Sequence, residues 1–237
     1  MCFSAGASFA AGTAITAVAI ATVKEVSKPS HKLFASIPLI FGVQQLAEGC
    51  LWFSLQNQGY ETIEMLSTYV FLLAALVLWP FLIPLSVMKM EQDSGRRKTM
   101  KLLLVVGLIL SAYYAYNIFF FQIEPVILNC HIYYNIHSIG SLAIPAFLGY
   151  LLVTIIPLLI STEKYMLRLG IFMFLSCLVT VIFYKENLTS VWCFFAAIMS
   201  IMIYVIVMVA QEEAKPVGYK LLHILSDHNP WKKRFQE

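Results

Sequence analysis

Residues 65–88 read MLSTYVFLLAALVLWPFLIPLSVM, and Lys89, Arg96, Arg97, Lys98 and Lys101 follow them. A bilayer core about 30 Å thick takes roughly 20 apolar residues in helical form, so this stretch is long enough to cross one. Lipid gives backbone N–H and C=O groups no other partner, which makes the stretch a helix. The basic cluster marks the end at which it emerges into the cytoplasm, because short loops rich in Lys and Arg are retained there.

Working outward, residues 4–23, 33–55, 102–121, 138–160, 167–184 and 190–210 read the same way. The expected fold is therefore all-α: a polytopic membrane bundle of seven transmembrane helices. Lys24, Lys28 and Lys32 follow the first span, Lys164 and Arg168 follow the fifth, and five more basic residues lie in the tail. This arrangement places fifteen of the 16 Lys and Arg residues on one side and leaves Lys185 on the other. The N-terminus is then outside and the C-terminus cytoplasmic. The formal charge of +3 reflects that orientation and is no argument for nucleic acid.

Residues 1–210 form one membrane domain in this reading, since no loop is long enough to fold alone, and residues 211–237 form a cytoplasmic amphipathic and basic tail. In the tail, Leu221, Leu222 and Leu225 can share one helical face, and Trp231 with Lys232, Lys233 and Arg234 suits anionic headgroups, so membrane lipids are expected partners. The first span is expected to be retained, because no positively charged leader precedes it. Ser4, Ser8 and Gly12 recur every four residues along it, a spacing that lets helix backbones approach closely. The lack of targeting extensions favours a bacterial inner membrane.

Of 13 acidic residues, Glu48 alone falls well inside an expected span. An ionisable group at that depth is costly, which makes it a functional candidate, although a protonated or hydrogen-bonded carboxyl can simply hold helices together. Gln44 and Gln45 precede Glu48 by four and three residues and Trp52 follows by four, so all four project from one side of the helix. The fourth span brings Tyr113, Tyr116 and Asn117 to similar depth. An outward-opening polar pocket is expected, with Gln44, Gln45, Trp52, Tyr113 and Asn117 contacting substrate.

The connection from Gln122 to Ile136 carries Asn129, Cys130 and His131, and His137 opens the fifth span. Cys2 lies on the same outer face, where removal of Met1 would leave an amine and a thiol on one residue, able to act as nucleophile or chelator. Cys2, Glu48, His131 and His137 together form a ligand set suited to a transition metal such as zinc, though the six-residue spacing of the two histidines matches no standard pair. Cys50, Cys130 and Cys193 also lie toward the outer side, with no pairing assignable.

The opening Met1-Cys2-Phe3-Ser4-Ala5-Gly6-Ala7-Ser8-Phe9 and the run from Pro38 to Gly49 resemble an uncharacterised, mainly bacterial family of multi-pass membrane proteins that begin MCFSA. The resemblance implies a multi-helix membrane fold and marks Cys2, Gln44, Gln45 and Glu48 as motif positions; it lends no activity. Membrane metallohydrolases of the alkaline ceramidase and progestin-receptor type carry a histidine pair on the last helix, whereas Ser190 to Ala210 contains no His or Asp. The proline-glutamine signature of sugar carriers is absent too, since Gln44 follows Val43. Three functions fit the outward site: an enzyme acting on a lipid-like or small-molecule ligand with Glu48 as base or metal ligand, a small-solute or proton-coupled transporter, and a ligand or redox sensor using Cys2.

Overall fold

The computed structural model describes residues 4–128, 131–136, 142–183 and 195–214, with side chains through Gln211 in the last segment. Helix α1 (Ala5–Glu25) is followed by a turn at Pro29–His31, α2 (Lys32–Ala35) and α3 (Ile37–Gln56). Then come α4 (Glu61–Leu72), a π-helical segment (Leu73–Leu78), α5 (Trp79–Met90) and α6 (Ser94–Phe120). Helices α7 (Ala143–Ile160), α8 (Met166–Phe183) and α9 (Ala196–Ala214) complete the bundle.

Six rods are long and apolar enough to cross a membrane: Ala5–Glu25, Pro29–Gln56, Glu61–Met90, Ser94–Phe120, Ala143–Ile160 and Met166–Phe183. The expected seventh span corresponds to α9, whose apolar part, Ala196–Gln211, is shorter. Leu102, Ile109, Phe120, Ile144 and Ile182 all stand outward and are each more than 60% exposed. A water-facing surface would not tolerate so continuous an apolar coat, whereas lipid requires it.

One element departs from the helix-only expectation. Ile123–Leu128 (β1) and His131–Ile136 (β2) pair antiparallel, with Val126 opposite Tyr133 and Leu128 opposite His131. Their β-branched and aromatic residues favour a pleated surface, and Pro125 is tolerated because each strand of a two-stranded ribbon is an edge. Helix α6 also begins earlier than residue 102. Asp93 caps it, its Oδ1 accepting from the Arg96 N–H at 2.7 Å, so the basic turn Arg96 to Lys101 is helical. The tail residues 215–237 lie outside the described residues.

Packing follows side-chain size. Ser8, Gly12, Ile15, Ala19 and Thr22 form the buried face of α1, which lies chiefly against α3. A Cβ at Gly12 would stand 2.8 Å from Leu46 Cγ, and one at Gly42 would collide with the Thr16 hydroxyl. Small residues at these crossings allow near backbone contact between α1 and α3.

The end bearing the basic loops is tied together by polar contacts. The Glu91 carboxylate, 2% exposed, accepts from the backbone N–H of Gln92, Asp93 and Thr162 and from the Thr162 hydroxyl at 2.5–3.0 Å. Burial raises the pKa of Glu91, but the hydrogen bonds from Thr162, Asp93 and Gln92 together outweigh it and hold the carboxyl below its ordinary value. Arg96 Nη1 donates to the Ile160 carbonyl at 2.8 Å, joining the same two loops. Nearby, His31 Nε2 lies 3.5 Å from Glu163 Oε1, and the Ser27 hydroxyl donates to Gln211 Oε1.

Candidate functional site

The polar stripe of α3 is wholly inside the bundle. Gln44, Gln45 and Trp52 are each 2% exposed and Glu48 is 0% exposed. Gln45 Nε2 donates to Glu48 Oε2 at 3.0 Å, a contact that three-residue helical spacing makes possible. Gln44 Oε1 accepts from the indole N–H of Trp79 at 3.0 Å, tying α3 to α5. An unpaired indole N–H or amide in this setting would forfeit the energy of a hydrogen bond with no water to replace it.

The hairpin covers the end of this stripe. Ile132 of β2 packs with Leu51 and Trp52 of α3, and Tyr134 stacks on Phe71 of α4 with ring centroids 5.0 Å apart. His131, at the start of β2, is buried. The connection after α6 is therefore a folded cap. Alternation along β2 also packs Tyr134 and Ile136 beside the Phe71, Leu72, Ala75 and Ile118 cluster.

Below the cap, toward the basic end, the bundle holds a partly open cavity of about 110 Å³. Its walls include Phe34, Phe41, Trp79, Phe147, Met173 and Met199, and among the described residues Gln44 is its one amide-bearing side chain. Tyr114 of α6 and Tyr150 of α7 add hydroxyls to the lining; among the described residues none of the lining is charged. The Tyr150 hydroxyl donates to the Ala75 carbonyl at 2.8 Å. Glu48 is not part of the wall, but lies one turn from Gln44 toward the cap.

The π segment borders this cavity, since Ala75 and Leu76 line it. Pro80 has no N–H to give the Leu76 carbonyl, and Pro84 has none for the Pro80 carbonyl, so the rod loses two internal hydrogen bonds within one turn. Neighbouring helices bond the carbonyls on either side of Leu76. Ser111 Oγ of α6 donates to the Val77 carbonyl at 2.6 Å, beside the Tyr150 contact to Ala75. A Cβ at Gly107 would stand 2.8 Å from the Pro80 carbonyl carbon, so α6 crosses α5 at almost backbone contact.

The expected site residues are distributed as follows. Gln45 and Glu48 meet each other, while Gln44 turns to Trp79 and the cavity. Asn117 is buried and its Nδ2 donates to the Tyr113 carbonyl within α6 at 2.7 Å; Tyr113 is half-buried against Tyr114. Tyr116 faces outward and stacks on Phe120. Helix α3 packs on α1, α4 and α9, whereas α6 packs on α5, α7 and the π segment, so the α4–α5 rod stands between the two halves of the expected pocket. Cys2 and His137 lie outside the described residues, as do Cys130 and Cys193; Cys50 and Cys177 are free thiols. Among the described residues, no three His, Cys, Asp or Glu side chains are grouped to share a metal.

Three lining residues, Trp79, Tyr114 and Tyr150, were absent from the expected site. A signal for them exists: Trp and Tyr concentrate at membrane interfaces, and these three stand within the rods, where a polar tip needs a partner from the protein or from a bound guest.

A model of a family of unknown function, DUF6629, matches residues 1–217. No curated protein and no solved structure matches the chain.

Proposed function

We propose, for a chain that belongs to DUF6629 and inherits no activity with its fold, an integral membrane protein that takes a lipid-like or other apolar small molecule into its bundle and acts on it through Glu48. In this reading seven helices span a bacterial inner membrane, with the N-terminus outside and the C-terminus cytoplasmic. One observation carries the assignment: Gln44 belongs to the polar part of the cavity wall, and one helical turn away on the same face is a fully buried carboxyl. A carboxyl withdrawn from water at a cost of several kcal/mol, beside a chamber of molecular size, is the combination by which functional sites in membranes are recognised. Glu48 then serves as general base or proton carrier, and Gln45 holds the carboxyl in orientation through its 3.0 Å bond.

The interrupted α4–α5 rod supports a second reading, in which the same chamber belongs to a transporter. Non-helical or loosened backbone at membrane depth is a feature of alternating-access sites. Mass spectrometry of organic extracts from protein purified in mild detergent tests the common premise. Wild type should carry a bound apolar molecule, Met199→Trp should lose it by filling the chamber, and Glu48→Gln should retain it while losing turnover or proton-coupled uptake in proteoliposomes. Equal occupancy in wild type and Met199→Trp would refute the assignment.

A further inference from the structure

Resting on the reading of the cavity as a ligand chamber, the geometry points to the class of molecule it takes: a neutral, largely apolar compound with one carbonyl-type oxygen, seated so that the oxygen accepts from the Tyr114 hydroxyl. Three features of the wall converge on that class. Among the described residues none that lines the cavity is charged, so a carboxylate, phosphate or ammonium buried there would lack a counter-charge. The chamber is of the same order as engineered apolar cavities of ~150 Å³, which stay dry and admit benzene-sized guests. Apolar surface alone therefore gives such a molecule a reason to enter.

The third feature is the state of the polar groups. Gln44 Oε1 is engaged by the Trp79 indole, and the Tyr150 hydroxyl is engaged by the Ala75 carbonyl. Tyr114 lines the same cavity, is 5% exposed, and makes ring contacts with Tyr113 and Tyr150, but its hydroxyl has no hydrogen bond among the described residues. A phenolic O–H facing the cavity is a strong donor, and a hydrocarbon guest would cover it without giving it an acceptor, at a cost. A guest carrying a carbonyl oxygen removes it. An alcohol fits less well, because its own O–H would then need an acceptor in an apolar wall.

Methionine methyl NMR provides a test that does not depend on how probes partition into detergent. Met173 and Met199 both line the chamber, so protein labelled at methionine methyls and held in nanodiscs reports occupancy at their two resonances. Acetophenone, ethylbenzene and benzoate are matched in size and differ in the group at issue. Acetophenone should shift both resonances and bind about five-fold more tightly than ethylbenzene, the worth of one neutral hydrogen bond, while benzoate leaves them unmoved. Tyr114→Phe should erase the difference between ketone and hydrocarbon yet keep binding of both.

If none of the probes moves Met173 or Met199, the chamber itself is not a ligand site and the functional reading fails with it. If ethylbenzene binds as well as acetophenone to wild type, or benzoate binds best, the chamber stands and the carbonyl class is refuted. The wild-type series alone decides this, so the conclusion does not depend on the variant folding.

Discussion

Replacing Gly107 by Ala should be among the most damaging single-methyl additions available in this chain, and the structure supplies the reason. The new Cβ would lie 2.8 Å from the Pro80 carbonyl carbon and closer still to its oxygen. Carbon atoms in contact normally sit ~3.5–4.0 Å apart, so α5 and α6 must separate by about 1 Å. Both colliding groups are backbone, and no rotamer change relieves them. Overpacking of this kind costs about 1–3 kcal/mol. Separation also stretches the 2.6 Å bond from Ser111 to the Val77 carbonyl, worth about 1 kcal/mol, while the better helix propensity of Ala returns roughly that amount.

The net expectation is a loss of about 2 kcal/mol, or ~4–8 °C in the thermal midpoint for a chain of this size. Thermal unfolding in one detergent, followed by loss of the monodisperse chromatographic peak, measures it. Gly6→Ala is the matched control, because a Cβ there meets nothing within 4 Å and only the helix-propensity gain remains, so the midpoint should hold or rise slightly. Gly149→Ala should fall between, since it meets only the movable Leu110 side chain at 3.2 Å. A Gly107→Ala midpoint equal to that of Gly6→Ala would refute the backbone-contact argument and, with it, the account of how α6 supports the π segment.

Glu91→Gln should destabilise the protein near neutrality and progressively less in acid. The folded-state pKa of Glu91 lies below its ordinary value of 4.5, so its stabilisation is complete above that pH and is lost as pH falls through the lower, folded value; the difference between the two proteins' pH–stability curves should therefore narrow below about pH 4.5, and a difference independent of pH would remove the carboxylate from this role. Reporter fusions test orientation: a tag after Arg97 or at Glu237 should be cytoplasmic and one between Gln56 and Glu61 should be outside, with the reverse pattern overturning the argument from basic residues. Metal analysis tests the set Cys2, Glu48, His131 and His137, which requires near-stoichiometric zinc or another transition metal in wild type and its loss in Glu48→Gln; protein purified without metal would end that reading and leave the cavity intact.

What could be read from the residues and what could not divide along a physical line. Rod length and lipid-facing composition are local properties, so the long apolar helices follow from runs such as residues 65–88, and the position of Glu48 on an inward face follows from the spacing of Gln44, Gln45 and Trp52. The hairpin was missed because residues 122–136 were too short to call for a membrane element, although Ile132, Tyr133 and Tyr134 have strong strand preference. The cavity depends on how tilted rods fail to meet, which no single-chain periodicity encodes. Tyr113 and Asn117 were placed opposite Glu48 by depth alone, yet depth does not say which rod stands between.

The prolines show how far local reading can reach. Pro84 lies inside α5 and Pro157 inside α7, and a proline within a membrane helix creates a demand: each missing N–H leaves a carbonyl that only another helix can satisfy. Beside Pro80 the Ser111 and Tyr150 hydroxyls bond the Val77 and Ala75 carbonyls, which flank Leu76, and Gly107 lets α6 approach the Pro80 backbone closely. Those donors come from α6 and α7, the helices that also carry Tyr114 and Tyr150 to the chamber wall. The loosened rod and the cavity are thus consequences of one arrangement. A guest that draws on Tyr150 must compete with the Ala75 carbonyl and disturb the rod, whereas one that draws on Tyr114 leaves the rod's external hydrogen bonds in place.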